Sequence, residues 1–241
     1  MRMNSFHPHF LMPFMMSKFI LWLLVPVMLG LLYRNFKRDQ QNTTFNRSHL
    51  LDDCIDLLQS SKLEKTGSDF PRLTGIYAGS LVTLELILDT LAVRKVPPLW
   101  LTVEIDGKHQ IKGSLDVVIR PQNNEFYSPA WQWEGNLKTP ENWPKHSIIK
   151  YQQDQFLQKP ASIDVLSRYV PAMFTDEHMK ELLVLPSKLR ITYLAKQATR
   201  SEYMVLRNAL FDATPIDKIQ VEQLIQKAIE IRQALEIENN E

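Results

Sequence analysis

The sequence has few of the residues from which recognisable active sites are built. It holds 1 Cys and 7 Gly among 241 residues. A single cysteine, Cys54, cannot form an intrachain disulfide, and it leaves no cysteine cluster for a zinc site. The glycines form no glycine-rich loop of the kind that holds phosphates, which argues against nucleotide binding.

The common signatures of catalysis are also missing. The sequence contains no G-x-S-x-G, no H-E-x-x-H and no recognisable Cys–His pair. Cys54 lies among apolar positions of a helix predicted from Ser48, where we expect a buried small hydrophobe rather than a reactive thiolate. His49 and Asp53 are four residues apart, but a pair at this spacing is typical of a solvated helix face. The sequence therefore predicts no catalytic residue, no metal ligand and no cofactor.

Acidic residues are absent from the first 34 positions, which instead hold a long apolar run. Phe19–Tyr33 carries no charged side chain, and the uncharged region extends upstream to about Met12 apart from Lys18. About 20 apolar residues suffice to cross a bilayer as a helix. We therefore predict an N-terminal tail within residues 1–18 and one transmembrane helix over residues 12–34. A cleaved signal peptide is disfavoured, because no A-x-A site follows the run.

Basic residues follow the apolar run directly. Arg34, Lys37 and Arg38 are predicted to contact anionic lipid headgroups. Only Arg2 and Lys18 precede or flank the run on its other side, and this asymmetry favours a cytoplasmic C-terminal domain. The expected localisation is a single-pass membrane protein whose main domain lies in the cytoplasm.

The rest of the chain is nearly neutral. Removing Arg2, Lys18 and Arg34 from the 28 basic residues leaves 25 against 27 acidic ones. A nucleic-acid partner is not expected, since such domains carry a strong basic surface. We predict a polar linker over residues 35–47 and a soluble α+β domain over residues 48–241.

Period-two alternation of apolar and polar residues predicts an antiparallel sheet. Residues 72–119 fit a four-stranded meander. Its apolar faces stay in register only if the turns have odd lengths, which would pair Val103 with Ile111 and Leu99 with Leu115. A second hairpin, again with an odd turn, is predicted around Pro186. Residues 161–241 supply this hairpin and helices that cover the sheet, including one over Pro215–Ile237.

The segment 121–160 is rich in aromatic residues and proline and shows no regular pattern. A long irregular segment is often functional. Tyr127, Trp131, Trp133 and Trp143 could form an apolar surface that binds a partner. The alternative is that the same rings fold back and cover the open face of the sheet.

The sequence favours a single-pass membrane-anchored, non-catalytic domain that binds or scaffolds a protein partner. One alternative is a membrane-tethered enzyme whose site assembles around Glu85, Glu104 and the aromatic segment 121–160. Another is an envelope-side domain that binds glycan or peptide through the tryptophans. Neither the partner nor the oligomeric state can be predicted from these patterns.

Overall fold

The computed structural model describes residues 12–65, 70–91, 96–107, 113–122, 125–152, 163–206 and 208–238. The side chains of residues 12–21, 23, 205, 206 and 238 lie outside that description. Contacts divide the chain into two compact units, Met1–Phe45 and Asn46–Glu241.

Helix α1 spans Met12–Ser48 and contains Pro26. Residues 35–47, for which we predicted a linker, are helical. They contain neither glycine nor proline, so no residue in them breaks the helix. The Thr43 hydroxyl donates a hydrogen bond to the Asp39 carbonyl at 2.8 Å, which satisfies a polar group that would otherwise compete with the helix.

The transmembrane helix predicted over residues 12–34 is not supported. Among the residues described, no helix has both the length and the apolar composition needed to cross a bilayer. The continuous apolar side chains of α1 that are described begin at Leu24 and end at Tyr33, because Arg34 follows. The upstream part of the predicted span falls on side chains outside the described set.

The unit Asn46–Glu241 is built on one antiparallel sheet of nine described strands, in the order β1-β2-β3-β4-β9-β8-β5-β7-β6. The strands are β1 Gln59–Lys65, β2 Pro71–Tyr77, β3 Ser80–Leu88, β4 Pro98–Asp106, β5 Leu115–Ile119, β6 Gly135–Leu137, β7 Ser147–Tyr151, β8 Met179–Val184 and β9 Lys188–Gln197. The predicted α+β class with an antiparallel sheet is confirmed.

The predicted pairing between the third and fourth strands of the meander is wrong. β4 pairs with β3 and with β9, where Val103 lies opposite Ile191. β5 pairs instead with β7 and β8, where Leu115 lies opposite Val184. Alternation decides which face a side chain occupies, but it does not decide which strand is the neighbour. The hairpin β8–β9 therefore lies between strands that are successive in the chain, and predicted partner Ile111 falls outside the described residues.

The predicted odd turn lengths are also wrong. Tyr77 pairs with Ser80 across Ala78 and Gly79, which have φ of 48° and 78°. Two successive positive φ values match the two-residue turn that suits a twisted hairpin. The backbones of Leu185 and Lys188 likewise exchange two hydrogen bonds, of 2.8 and 3.2 Å. As a consequence, the side chains of Ile76 and Leu81 lie outside the core.

Helices cover one face of the sheet. After a 3-10 helix at Asp52–Leu57 come α2 Ile163–Met173, α3 Arg200–Leu206 and α4 Lys218–Glu238. The 3-10 helix, α2 and α4 contribute buried side chains to the core, whereas the described side chains of α3 do not. The long C-terminal helix is confirmed, and it packs on β4 and β9. Its first turn is capped by Asp217, whose Oδ1 accepts from the Ile219 amide at 2.9 Å. The capping residue is therefore Asp217.

The core lies between these helices and the sheet. It includes alternating side chains of the central strands, such as Val82, Leu84, Val103 and Ile191. Cys54 is fully buried there, in the 3-10 helix rather than the predicted α-helix. Burial raises the pKa of its thiol to about 12, so Cys54 is uncharged at neutral pH and does not act as a thiolate nucleophile.

Candidate functional site

The face of the sheet opposite the core carries a cluster of buried charged side chains. Because directly paired residues project from the same face, cross-strand pairs arrange this cluster in two neighbouring rows. One row contains Asp116, Leu183, Arg190 and Glu104, and the next contains Glu181, Thr192 and Thr102. We call this surface the polar face.

Glu181 is the best-bonded carboxylate of the polar face. It is fully buried, and Arg190 donates to both of its oxygens, at 3.0 and 3.2 Å. The Thr192 hydroxyl donates a third hydrogen bond to it. Burial raises the pKa of Glu181, whereas the Arg190 guanidinium opposes that rise. A bidentate arginine contact of this kind is the geometry that best offsets the desolvation cost of burying a carboxylate.

Asp116 is fully buried as well, but no cation bonds to it in the part of the chain that is described. Its Oδ2 accepts from the Ser128 hydroxyl at 2.6 Å and from the Ala130 amide at 3.1 Å. Its Oδ1 is buried without a hydrogen-bond partner among those residues. Burial raises the pKa of Asp116 well above its usual range, and the nearby charge of Glu181 raises it further. The two carboxyl groups therefore titrate as an interacting pair.

Residues 120–131, of which 123 and 124 are outside the description, lie over the polar face. We call them the covering loop. Arg190 bridges it to the sheet, since its Nη2 also donates to the Tyr127 carbonyl at 2.6 Å. The Tyr127 ring packs against that of Trp100, with centroids 5.9 Å apart. Charged hydrogen bonds and one aromatic contact thus hold the loop on the sheet.

A second buried ion pair holds the start of the covering loop. Lys180 Nζ lies 2.8 Å from Glu125 Oε1, and the two side chains are only 5% and 3% exposed. Burial would raise the pKa of Glu125, but the hydrogen bond and charge of Lys180 hold it below its usual range. Lys180 also donates to the Arg120 carbonyl at 2.7 Å. The loop is therefore bound to β8 through one lysine.

Arg120 turns the chain from β5 into the covering loop. Its φ of 49° is unusual for a residue other than glycine. Its guanidinium donates to the carbonyls of Glu177 and Met179, both at 2.7 Å. These bonds, together with the one that its own carbonyl accepts from Lys180, compensate for the unfavourable backbone conformation.

Buried carboxyls with raised pKa values are common in active sites, but these two lack access. Asp116 and Glu181 are both 0% exposed beneath the covering loop, so no substrate atom can reach them while the loop is in place. Glu104, an acid that we considered for an enzyme, pairs with Lys188 at 2.7 Å. Within the described residues, no group of three or more His, Cys, Asp or Glu is placed to hold a metal ion. The bonds of these carboxyls position the covering loop.

A cavity of about 530 Å³ lies beside the covering loop. It is bounded by the beginnings of β4 and β8, the end of β9 and helix α3. Trp100 and Leu194 contribute apolar wall, while Arg120, Lys180 and Arg200 contribute cationic groups. Its size falls in the range of small-molecule sites. This cavity is the candidate binding site of the unit.

Comparison with known proteins identifies no family. No family model and no curated protein sequence matches the chain. Among solved structures, it resembles the crystal structure of the mycobacterial trehalose monomycolate transport factor A, TtfA, with a TM-score of 0.37 and 8% identity. The match covers 75% of this chain and 76% of that one. A TM-score this low supports no conclusion about fold or function.

The structure does not bring the four predicted aromatic residues onto one surface. Trp143 is buried in the core, where its Nε1 donates to the Ser167 hydroxyl at 3.0 Å. Tyr127 lies over the polar face, and Trp133 is half-buried. Trp131, at 41% exposed, is the accessible member of the set. The basic residues Arg34, Lys37 and Arg38 are exposed on α1.

Sequence reasoning missed the buried charges of the polar face. The sequence does contain a signal for these buried charges. Lys180 and Glu181 begin an otherwise apolar hairpin, and Asp116 interrupts an apolar strand. The alternation placed Asp116 on the polar side of a half-buried sheet. Charged residues within apolar strands are rarely fully buried without bonding partners. The partners of Lys180 and Asp116, which are Glu125, Ser128 and Ala130, come from the covering loop, far from β8 in the sequence.

Proposed function

We propose that the chain is a membrane-attached, non-catalytic protein whose α1 inserts apolar side chains into a lipid bilayer and whose unit Asn46–Glu241 binds a protein partner. The observation that carries this proposal is the exposure of apolar side chains along α1. An extended apolar surface on a protein marks an interaction with a membrane or another protein.

The apolar stretch of α1 is exposed on all sides of the helix. Successive apolar side chains are 50–67% exposed, and Trp22 is 82% exposed. The set comprises Leu24, Val25, Val27, Met28, Leu29, Leu31, Leu32 and Tyr33. A helix that packs on one neighbour needs only one apolar stripe, whereas one that is apolar all round is suited to complete burial. A lipid environment supplies such burial without a dedicated partner.

The charges that follow the stretch support the same proposal. Arg34, Lys37 and Arg38 are exposed on the helix immediately after Tyr33. Each basic residue near an anionic surface contributes about 1 kcal/mol of attraction. The cytoplasmic leaflet is the more anionic one, so these residues favour attachment at the cytoplasmic side.

The covering loop supplies the proposed protein-binding surface. Phe126 and Trp131 are 52% and 41% exposed on it. Large aromatic side chains dominate the binding energy of protein interfaces. The loop is held on the sheet by the buried Lys180–Glu125 ion pair and by the hydrogen bond from Arg190 to the Tyr127 carbonyl. Its exposed rings are therefore presented in a fixed arrangement, which lowers the entropic cost of binding.

Membrane attachment is tested with two lysines placed in the apolar stretch. We expect the full chain, translated in the presence of vesicles of zwitterionic and anionic phospholipid, to float with them. Leu29→Lys/Leu32→Lys loses the burial of two leucines, about 3–6 kcal/mol, and should reduce flotation at least ~100-fold. Gln40→Lys/Gln41→Lys adds the same charge beyond the stretch and should float normally. Equal flotation of both variants, or none for the wild type, would refute attachment through α1.

Partner binding is tested by truncating the exposed rings. We expect Phe126→Ala/Trp131→Ala to weaken capture of protein partners from detergent-solubilised membranes by at least ~10-fold. Leu81→Ala/Ile219→Ala removes two exposed aliphatic side chains elsewhere in the same unit and serves as the matched control. Quantitative mass spectrometry of the captured proteins gives the readout. If the aromatic variant retains the same partners in the same amounts, the covering loop is not the interface.

A further inference from the structure

We propose that the cavity beside the covering loop binds a single-chain amphipathic anion, namely an acyl chain with a carboxylate or phosphate head. The inference builds on the proposed membrane attachment, which would hold the unit near lipid. It assigns a ligand to a site that the partner-binding surface does not use.

The wall of the cavity suits an acyl chain. Its apolar part includes Val96, Pro98, Trp100, Met179, Leu194 and Met204. Met204 is 55% exposed, although a methionine side chain is usually buried. Flexible methionine and aromatic side chains can adapt to chains of different shape. The volume of about 530 Å³ leaves room for a ligand that contacts the whole wall.

The charged part of the cavity suits an anionic head. Arg120 and Arg200 line it and are exposed, and Glu177 is the acidic residue that the structure places among its lining. The charge of Lys180, which also lines it, is matched by Glu125. One positive charge therefore remains in excess. The Arg120 guanidinium is already oriented by its two carbonyl bonds, so it loses little freedom when it binds an anion.

The sheet topology argues against an extended peptide as the occupant. A peptide that joins a sheet needs a strand with unpaired backbone groups. The strands that border the cavity, β4, β8 and β9, are each paired on both sides. The strands at the ends of the sheet are β1 and β6, which do not line it. An acyl chain has no backbone groups to satisfy and can be held by the apolar wall alone.

The test uses a palmitate analogue that carries a photoreactive diazirine on its chain, added to the full chain on phosphatidylcholine vesicles. Mass spectrometry locates the labelled residues. Labelling of α1 reports contact with the bilayer, whereas labelling near Leu194 and Met204 reports the cavity. Failure of membrane attachment is thereby distinguished from failure of the ligand proposal.

We expect Arg200→Glu to reduce cavity labelling roughly five- to tenfold while labelling of α1 stays constant. Arg168→Glu, an exposed arginine on α2, should leave both unchanged. The uncharged methyl ester of the probe should label α1 normally and the cavity weakly. Competition by lysophosphatidate that exceeds competition by palmitate would identify a phosphate head, and the reverse would identify a carboxylate.

Three results would overturn the proposal. The first is cavity labelling that is absent while α1 is labelled. The second is equal cavity labelling by the acid and its ester, or by the wild type and Arg200→Glu. The third is full competition by an acidic peptide that lacks an acyl chain, which would make the site a peptide site.

Discussion

Replacing Lys180 with methionine is expected to lower the free energy of unfolding by about 3–5 kcal/mol. The substitution removes one partner of an ion pair whose atoms are 2.8 Å apart and leaves the Glu125 carboxylate buried without its cation. It also removes the hydrogen bond to the Arg120 carbonyl, which helps to hold the chain in a positive-φ conformation. Urea titration of the full chain in a nonionic detergent, followed by near-ultraviolet circular dichroism, gives the measurement.

Two further variants distinguish the effect of breaking the buried ion pair from the effect of losing any positive charge. Lys188→Met breaks the ion pair between Lys188 and Glu104, in which the side chains are 36% and 22% exposed, respectively. It should lower the free energy of unfolding by only about 0–1 kcal/mol. Glu125→Leu/Lys180→Met removes both buried charges and should recover much of the stability, because no ion is left uncompensated. A Lys180→Met variant as stable as Lys188→Met would show that the loop is not held by this pair.

The parts of the fold that depend on local pattern could be predicted from the sequence. Alternation in β4 placed Leu99 and Val103 on the apolar face of the sheet, and both are fully buried. The apolar stripe of α4 was equally clear, since one helix face is determined by spacing alone. These features require no knowledge of which segments meet.

The strand order could not be predicted, because it depends on contacts between distant segments. Ile191 occupies the place opposite Val103 that we had assigned to Ile111, and it lies 88 positions away in the chain. When two strands have similar alternation, the local sequence pattern does not decide which of them pairs with β4. The turns were predicted wrongly for a related reason: we required every apolar residue to face the core, and the structure leaves Ile76 and Leu81 outside it.

The candidate site depends on the same distant contacts. Glu181 is stabilised by Arg190 within one hairpin, but Asp116 comes from β5 and Glu125 from the covering loop. A charged residue in an apolar strand can be recognised from the sequence, whereas its partner cannot. The tryptophans of segment 121–160 show that residue type alone does not determine exposure. Trp131 is 41% exposed, whereas Trp143 is buried.

Asp116 leads to the second large effect, a dependence of stability on pH. Burial and the neighbouring charge of Glu181 raise the pKa of Asp116 in the folded chain. The folded carboxyl thus binds its proton at a higher pH than the unfolded one, and unfolding releases a proton between the two pKa values. The contribution of Asp116 to the free energy of unfolding is therefore fully present at low pH and falls as pH rises through the folded pKa. The slope reaches at most about 1.4 kcal/mol per pH unit.

Asp116→Asn should remove this dependence. An asparagine carbonyl can accept the same bonds from the Ser128 hydroxyl and the Ala130 amide, and the side chain stays neutral at every pH. The free energy of unfolding of the wild type, minus that of Asp116→Asn, should fall as pH rises from 4 towards 8 in urea titrations. Taking this difference cancels the titrating groups that do not interact with Asp116, including Glu125, whose lowered pKa acts in the opposite direction.

Two further variants, at Glu141 and Glu181, show whether the pH dependence is specific to Asp116. Glu141→Gln, at an exposed loop position, should give a difference that is flat with pH. Glu181→Gln should instead destabilise the chain across the whole range, by about 3–5 kcal/mol, because it leaves Arg190, whose side chain is 17% exposed, without its carboxylate. The two carboxyls are expected to respond differently because of their partners: Arg190 bonds Glu181, whereas the donors described for Asp116 are the neutral Ser128 hydroxyl and Ala130 amide. If the difference for Asp116→Asn is flat, or rises with pH, Asp116 is charged in the folded chain and its pKa is not raised.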